Sequence, residues 1–132
     1  LGIDIELANE EWKVYLKSAQ EMEYDICRAG WIGDYPDANT FLDMWLTDGG
    51  NNYTGFASPE YDQLIADAAR APSAKERRAI FQKAEEMLLD EMPVLPIYFY
   101  TARYLIDPRV REWHPTILNH HPYKHVYLAP AD

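Results

Sequence analysis

The chain has 132 residues, 48% of them apolar and 26% charged, with a formal net charge of −10. That length suffices for one hydrophobic core. The acidic balance, with no basic stripe to meet phosphates, excludes a nucleic-acid binder; a single cysteine, Cys27, excludes an internal disulfide; and no stretch approaches the roughly 20 apolar residues of a membrane helix.

Residues 2–7 alternate, with Ile3, Ile5 and Leu7 on one side and Asp4 and Glu6 on the other. This predicts a strand with one solvated face. Asn9 is placed to cap a helix over residues 10–20, in which Trp12, Tyr15, Leu16 and Ala19 share a stripe. Residues 24–30 read as the next strand, with Cys27 as a small buried apolar residue. Strand, helix and strand in this order make a βαβ unit, most simply a parallel pair with a right-handed crossover. The fold class is therefore α/β. Ligand sites in such sheets gather beyond the carboxyl ends of the strands, where residues 31–37 lie.

A short helix is expected over residues 39–46, fixed by Phe41, Leu42, Trp45 and Leu46. Residues 47–52 are turn-rich and too polar for a core. Ser58 caps a helix that begins at Pro59 and runs to about Arg70, burying Tyr61, Leu64, Ile65 and Ala68. Ser73 and Glu76 have the spacing of a capping box. They open the longest helix, over residues 74–90, with Ile80, Phe81, Ala84, Met87 and Leu88 inward. Pro93 and Pro96 break the helical pattern. Residues 97–101 are strand-like, residues 107–123 irregular, and residues 124–128 a last short strand.

The run Gly30-Trp31-Ile32-Gly33-Asp34-Tyr35-Pro36-Asp37, with Phe41-Leu42 after it, carries the strongest signal. Asn51-Asn52, the Ser58-Pro59 helix start with Tyr61-Asp62 and Leu64-Ile65, and Pro93, Pro96 and Tyr98 follow in order. This ordered set resembles the oligopeptide-binding family, the solute-binding proteins that feed peptides to ABC importers. The resemblance covers nearly the whole chain, to about Leu128. Members of that family are several times longer, so it implies a C-terminal piece of a larger protein. The implied fold is part of one lobe of a two-lobed, class II periplasmic-binding-protein architecture. Residues 1–100 would belong to a ligand-binding lobe. Residues 101–132 would cross the hinge as a tail that completes the other lobe.

By its residues alone, Asp34 reads first as a turn aspartate satisfying nearby backbone N–H groups. The resemblance instead gives its carboxylate the amino-terminal ammonium of a bound peptide, a charge-assisted hydrogen bond. Gly30, Trp31, Ile32 and Gly33 form the proposed docking edge. An extended peptide added there gains backbone hydrogen bonds whatever its sequence, and the flanking glycines admit a second backbone. Trp31 is a candidate pocket wall or a core residue. Arg28, on the strand face of Gly30, matches a basic family residue near the peptide carboxylate; its other reading is a surface arginine. Tyr100 matches a hinge tyrosine that touches peptide, or is a packed sheet tyrosine.

The implied function is non-covalent capture of peptides for an ABC permease, at the periplasmic or extracellular face of the bacterial membrane. The membrane is reached only indirectly, through the permease or a lipid anchor outside this chain. A sibling carrier of nickel or an oligosaccharide shares the fold. A hydrolase with Asp34 and Asp37 as an acid/base pair is the alternative from another class, but no nucleophile elbow, phosphate loop or HExxH helix accompanies it. His114, His120, His121 and His125 have ligand chemistry without the spacing of a standard metal site. No metal and no cofactor are expected. A piece cut from two lobes leaves apolar surface uncovered, so self-association is expected.

Overall fold

The computed structural model describes residues 2–130; Leu1, Ala131 and Asp132, the ends of the two expected segments, lie outside the described residues. Its centre is a helical hairpin. Helix α3 (Pro59–Arg70) starts where Ser58 turns extended and its Oγ accepts the Tyr61 N–H at 3.2 Å, with Pro59 in the first turn. Glu60 and Asp62 lie at its positive end and Arg70 at its negative end. Helix α4 (Ala74–Glu91) starts the same way, Ser73 Oγ accepting the Glu76 N–H at 3.2 Å. It stops at Met92, whose φ of 53° is left-handed and whose N–H returns to the Leu88 carbonyl. Pro93 follows and cannot continue the helix.

Tyr61, Ile65 and Ala68 of α3 face Phe81, Ala84 and Leu88 of α4, and Leu42 closes the cluster. The two alanines are almost wholly buried; their small side chains let the helix backbones approach while the larger neighbours fill the ends. Trp45, Leu46, Phe56, Leu64, Ile80 and Met87 pack around the rim.

Two shorter helices precede the hairpin. Helix α1 (Trp12–Gln20) begins two residues later than Asn9 would have placed it, because the cap is Glu11, whose carboxylate accepts the Lys13 N–H at 2.9 Å. Of its expected stripe only Ala19 is buried, and Trp12 is exposed while stacking on Tyr15. Helix α2 (Asn39–Leu42) continues into a 3₁₀ turn, Asp43–Trp45. The loop after it is tied down by Asn52, whose amide donates to the Leu46 carbonyl at 3.0 Å and the Phe56 carbonyl at 2.8 Å. Asp62 of α3 accepts the Thr47 N–H at 3.0 Å.

The expected strands need correcting. Residues 2–7, 24–30 and 97–101 carry no strand ladder, and the parallel βαβ pair is not formed. Alternation fixes which side chains share a face, but a strand exists only when a neighbour takes its N–H and C=O groups. Among the described residues the one ladder is β1 (Val110–Arg111) antiparallel to β2 (Tyr127–Leu128), Val110 opposite Leu128. The tail also gathers Tyr104, Trp113, His121 and Tyr123, with Trp113 stacked on His121 at 4.2 Å between ring centroids. No helix among the described residues is long and apolar enough to cross a membrane.

Candidate functional site: a framed turn beside an open cleft

The segment from Arg28 to Asp37 leads from the end of the second extended stretch into α2. Its geometry is set by Thr40, which is 2% exposed. The Thr40 carbonyl accepts the Trp31 indole N–H at 2.7 Å, and the Thr40 hydroxyl accepts the Asp34 backbone N–H at 3.0 Å. One residue on α2 thus holds both ends of the Trp31-to-Asp34 stretch. Gly33 makes this close approach feasible: a Cβ there would lie 3.0 Å from Thr40 Cγ2 and 3.1 Å from the Phe41 ring. Its missing side chain serves internal packing. Gly30 is different, since a Cβ there would sit 3.5 Å from the Tyr100 ring, an ordinary contact.

Gly30, Trp31 and Ile32 line one wall of an open cleft of about 410 Å³, and Tyr100, Thr101 and Ala102 line the other. Ile32 is exposed, and Trp31, its N–H already satisfied, offers its ring. The sequence therefore brought together residues some 70 positions apart along the chain. Arg28 joins the same group by donating to the Tyr100 hydroxyl. Tyr98 lies against Tyr100, ring centroids 4.8 Å apart. Hydrogen bonding to Tyr100 and then to Arg28 holds the Tyr98 phenol below its ordinary range. The Tyr15 hydroxyl donates to the Arg28 carbonyl at 3.0 Å, steadying the backbone from α1.

The charges in this region are unevenly matched. Among the described residues Arg28 touches phenols and no carboxylate. Asp34 is exposed, and among the described residues its carboxylate accepts no hydrogen bond and forms no ion pair. The expectation of a turn aspartate serving its own loop is met by a different residue, Asp37. Its Oδ1 accepts the Asn39 N–H at 2.9 Å, and its two oxygens take both terminal nitrogens of Arg77. The Arg77 guanidinium, with the Asn39 N–H second, holds the Asp37 carboxyl below the usual carboxylate range. A carboxylate clamped in this way is a poor proton donor, so Asp37 is unsuited to the acid role in the proposed Asp34–Asp37 pair.

Sequence reasoning missed Thr40 and Arg77. Thr40 is the second residue of α2, and Arg77 lies in the first turn of α4. Neither has a local signal, because each acts on a loop through packing. The histidines do not assemble: among the described residues no three His, Cys, Asp or Glu side chains could hold a metal ion. His121 is instead stacked among aromatic rings, and His114 pairs with Glu112 at 3.2 Å.

Residues 1–53 match the profile of the bacterial extracellular solute-binding proteins, family 5, middle region. The chain is 40% identical over 112 residues to the oligopeptide-binding protein OppA of Bacillus subtilis, covering 84% of this chain and 21% of that protein. Its backbone superposes on the murein tripeptide binding protein MppA of Escherichia coli with a TM-score of 0.84 at 32% identity, over 99% of this chain and 26% of that one. It superposes on Haemophilus influenzae OppA, solved in complex with the peptide RPPGFSPFR, with a TM-score of 0.82 at 36% identity, over 95% of this chain and 25% of that one. The class is thus that of solute-binding proteins, and the chain belongs to the bacterial extracellular solute-binding proteins of family 5. It spans about a fifth to a quarter of the length of these relatives.

Proposed function

We propose that this chain is the C-terminal part of a carrier that captures extended peptides without covalent chemistry and delivers them to an ABC-type permease. Residues 1–100 are assigned to one ligand-binding lobe and residues 101–132 to a hinge crossing and tail that complete the other. The carrier works at the periplasmic or extracellular face of the cell membrane and is not an enzyme. One observation carries the reading: a cation, Arg28, and an anion, Asp34, each without an ion-pair partner among the described residues, flank a backbone segment that lines an open cleft. A peptide is a zwitterion joined by a backbone. Its ammonium suits Asp34, its carboxylate suits Arg28, and its N–H and C=O groups suit the free edge at residues 30–33. Two further facts support peptides as the cargo: the names of the relatives and the peptide in the Haemophilus complex.

The test is retention. The complete carrier is incubated with a mixed peptide pool, separated from free ligand, and its cargo identified by mass spectrometry. Intact peptides with free amino termini are expected. Recovery of no peptide would reject the reading, and cleaved products would replace it with a hydrolase.

A further inference from the structure

We infer that Arg77 and Asp37 are a positioning pair that holds Asp34 ready for a ligand's ammonium group. The inference rests on the reading of Asp34 as that anchor. Residues 34–37 form an exposed turn, and a turn free to move would carry the carboxylate away from any fixed ligand position. Three attachments remove that freedom. The Asp34 N–H is held by Thr40 at 3.0 Å. The Tyr35 hydroxyl accepts from the Asn39 amide at 2.8 Å and lies 3.4 Å from Asp43. Asp37 is held by Arg77.

The first two attachments are local, and they move with α2. The third alone reaches a distant element, spanning 40 positions to the first turn of α4. Arg77 is itself fixed there, its guanidinium carbon 4.6 Å from the ring of Phe81, a core residue one turn further on. The packing of α4 therefore places Arg77, Arg77 places Asp37, and Asp37 places the turn whose first residue is Asp34. Two parallel bonds from a planar fork fix direction as well as distance, which a lysine ammonium does not. The pairing also covers the Arg77 charge, which uncovered would oppose a cation arriving at Asp34.

The test uses the complete carrier, with trialanine and N-acetyl-trialanine as probes and calorimetry as readout. Wild type binds trialanine more tightly. Arg77→Lys, which keeps the charge and loses the fork, is expected to weaken trialanine by about three- to tenfold. The acetylated probe should bind as it does to wild type. Arg77→Gln, a second variant without charge, should behave alike. Equal weakening of both probes would make Arg77 a general structural residue and overturn the inference, as would unchanged binding of both. A wild type that does not prefer the free amine overturns the Asp34 reading and the inference with it. A preference of undiminished size in Arg77→Lys and Arg77→Gln overturns the inference alone.

Discussion

The Tyr61 hydroxyl donates to the Leu42 carbonyl at 2.6 Å, with the tyrosine fully buried. This bond joins the helical hairpin to the end of α2, two residues from Thr40. Burial, and then the charges of Asp43 and Asp62, push the phenol pKa far above its ordinary value. The sign follows directly. A raised folded pKa means that the folded state keeps its proton longer, so the stabilisation is complete below the unfolded tyrosine range and is lost as pH rises above it.

Tyr61→Phe should therefore destabilise the fold by about 1–3 kcal/mol, because the Leu42 carbonyl stays buried without a donor. Chemical denaturation of the complete carrier measures it. A variant as stable as wild type would mean that water reaches that carbonyl.

Asp37 should titrate below ordinary aspartates when followed by NMR, and Arg77→Gln should return it toward them. Here the folded pKa is depressed. The pair's stabilisation is present at neutral pH and is lost as pH falls through the folded value. About a third of each side chain meets solvent, so a double-mutant cycle should give a coupling of about 1 kcal/mol or less.

Asp34→Asn should keep the fold and weaken peptides with a free amino terminus. A hydrogen bond to a charged group contributes roughly 1.5–3 kcal/mol, so a loss of about ten- to hundredfold is expected. Acetylated peptides should be nearly indifferent to the change. Calorimetry on both carriers decides; equal binding of free-amine peptides would leave Asp34 as a turn residue only.

The helices and their caps were legible because their signals are local. Ser58 with Pro59, and Ser73 with Glu76, announce α3 and α4 within four residues each, and the inward faces follow from a period of 3.6. The strands were legible only in part. Ile3, Ile5 and Leu7 alternate in the sequence as in a strand, but a ladder depends on a neighbour that no local pattern supplies. The site divides in the same way. Gly30, Trp31, Ile32 and Tyr100, named separately in the sequence, line one cleft. The frame around Asp34 was hidden, because Thr40 and Arg77 act across space.

The isolated 132-residue chain should self-associate. Ile5, Ile26, Ile97 and Phe99 stand 70%, 88%, 81% and 98% exposed on stretches whose backbone edges are open, a combination that invites pairing with another chain. Sedimentation equilibrium over a range of concentrations should show oligomers. A compact monomer at high concentration would count against this.

The short link between α3 and α4, residues 71–73, has a consequence for how the polypeptide acquires its shape. Contacts between neighbouring helices close small loops and form early, whereas strand pairing over long separations is slow. The hairpin of Tyr61, Ile65, Phe81 and Leu88 is therefore expected to condense first and act as a seed. The extended stretches to either side dock later, when distant chain arrives. During that interval their apolar rows are the species a chaperone would hold.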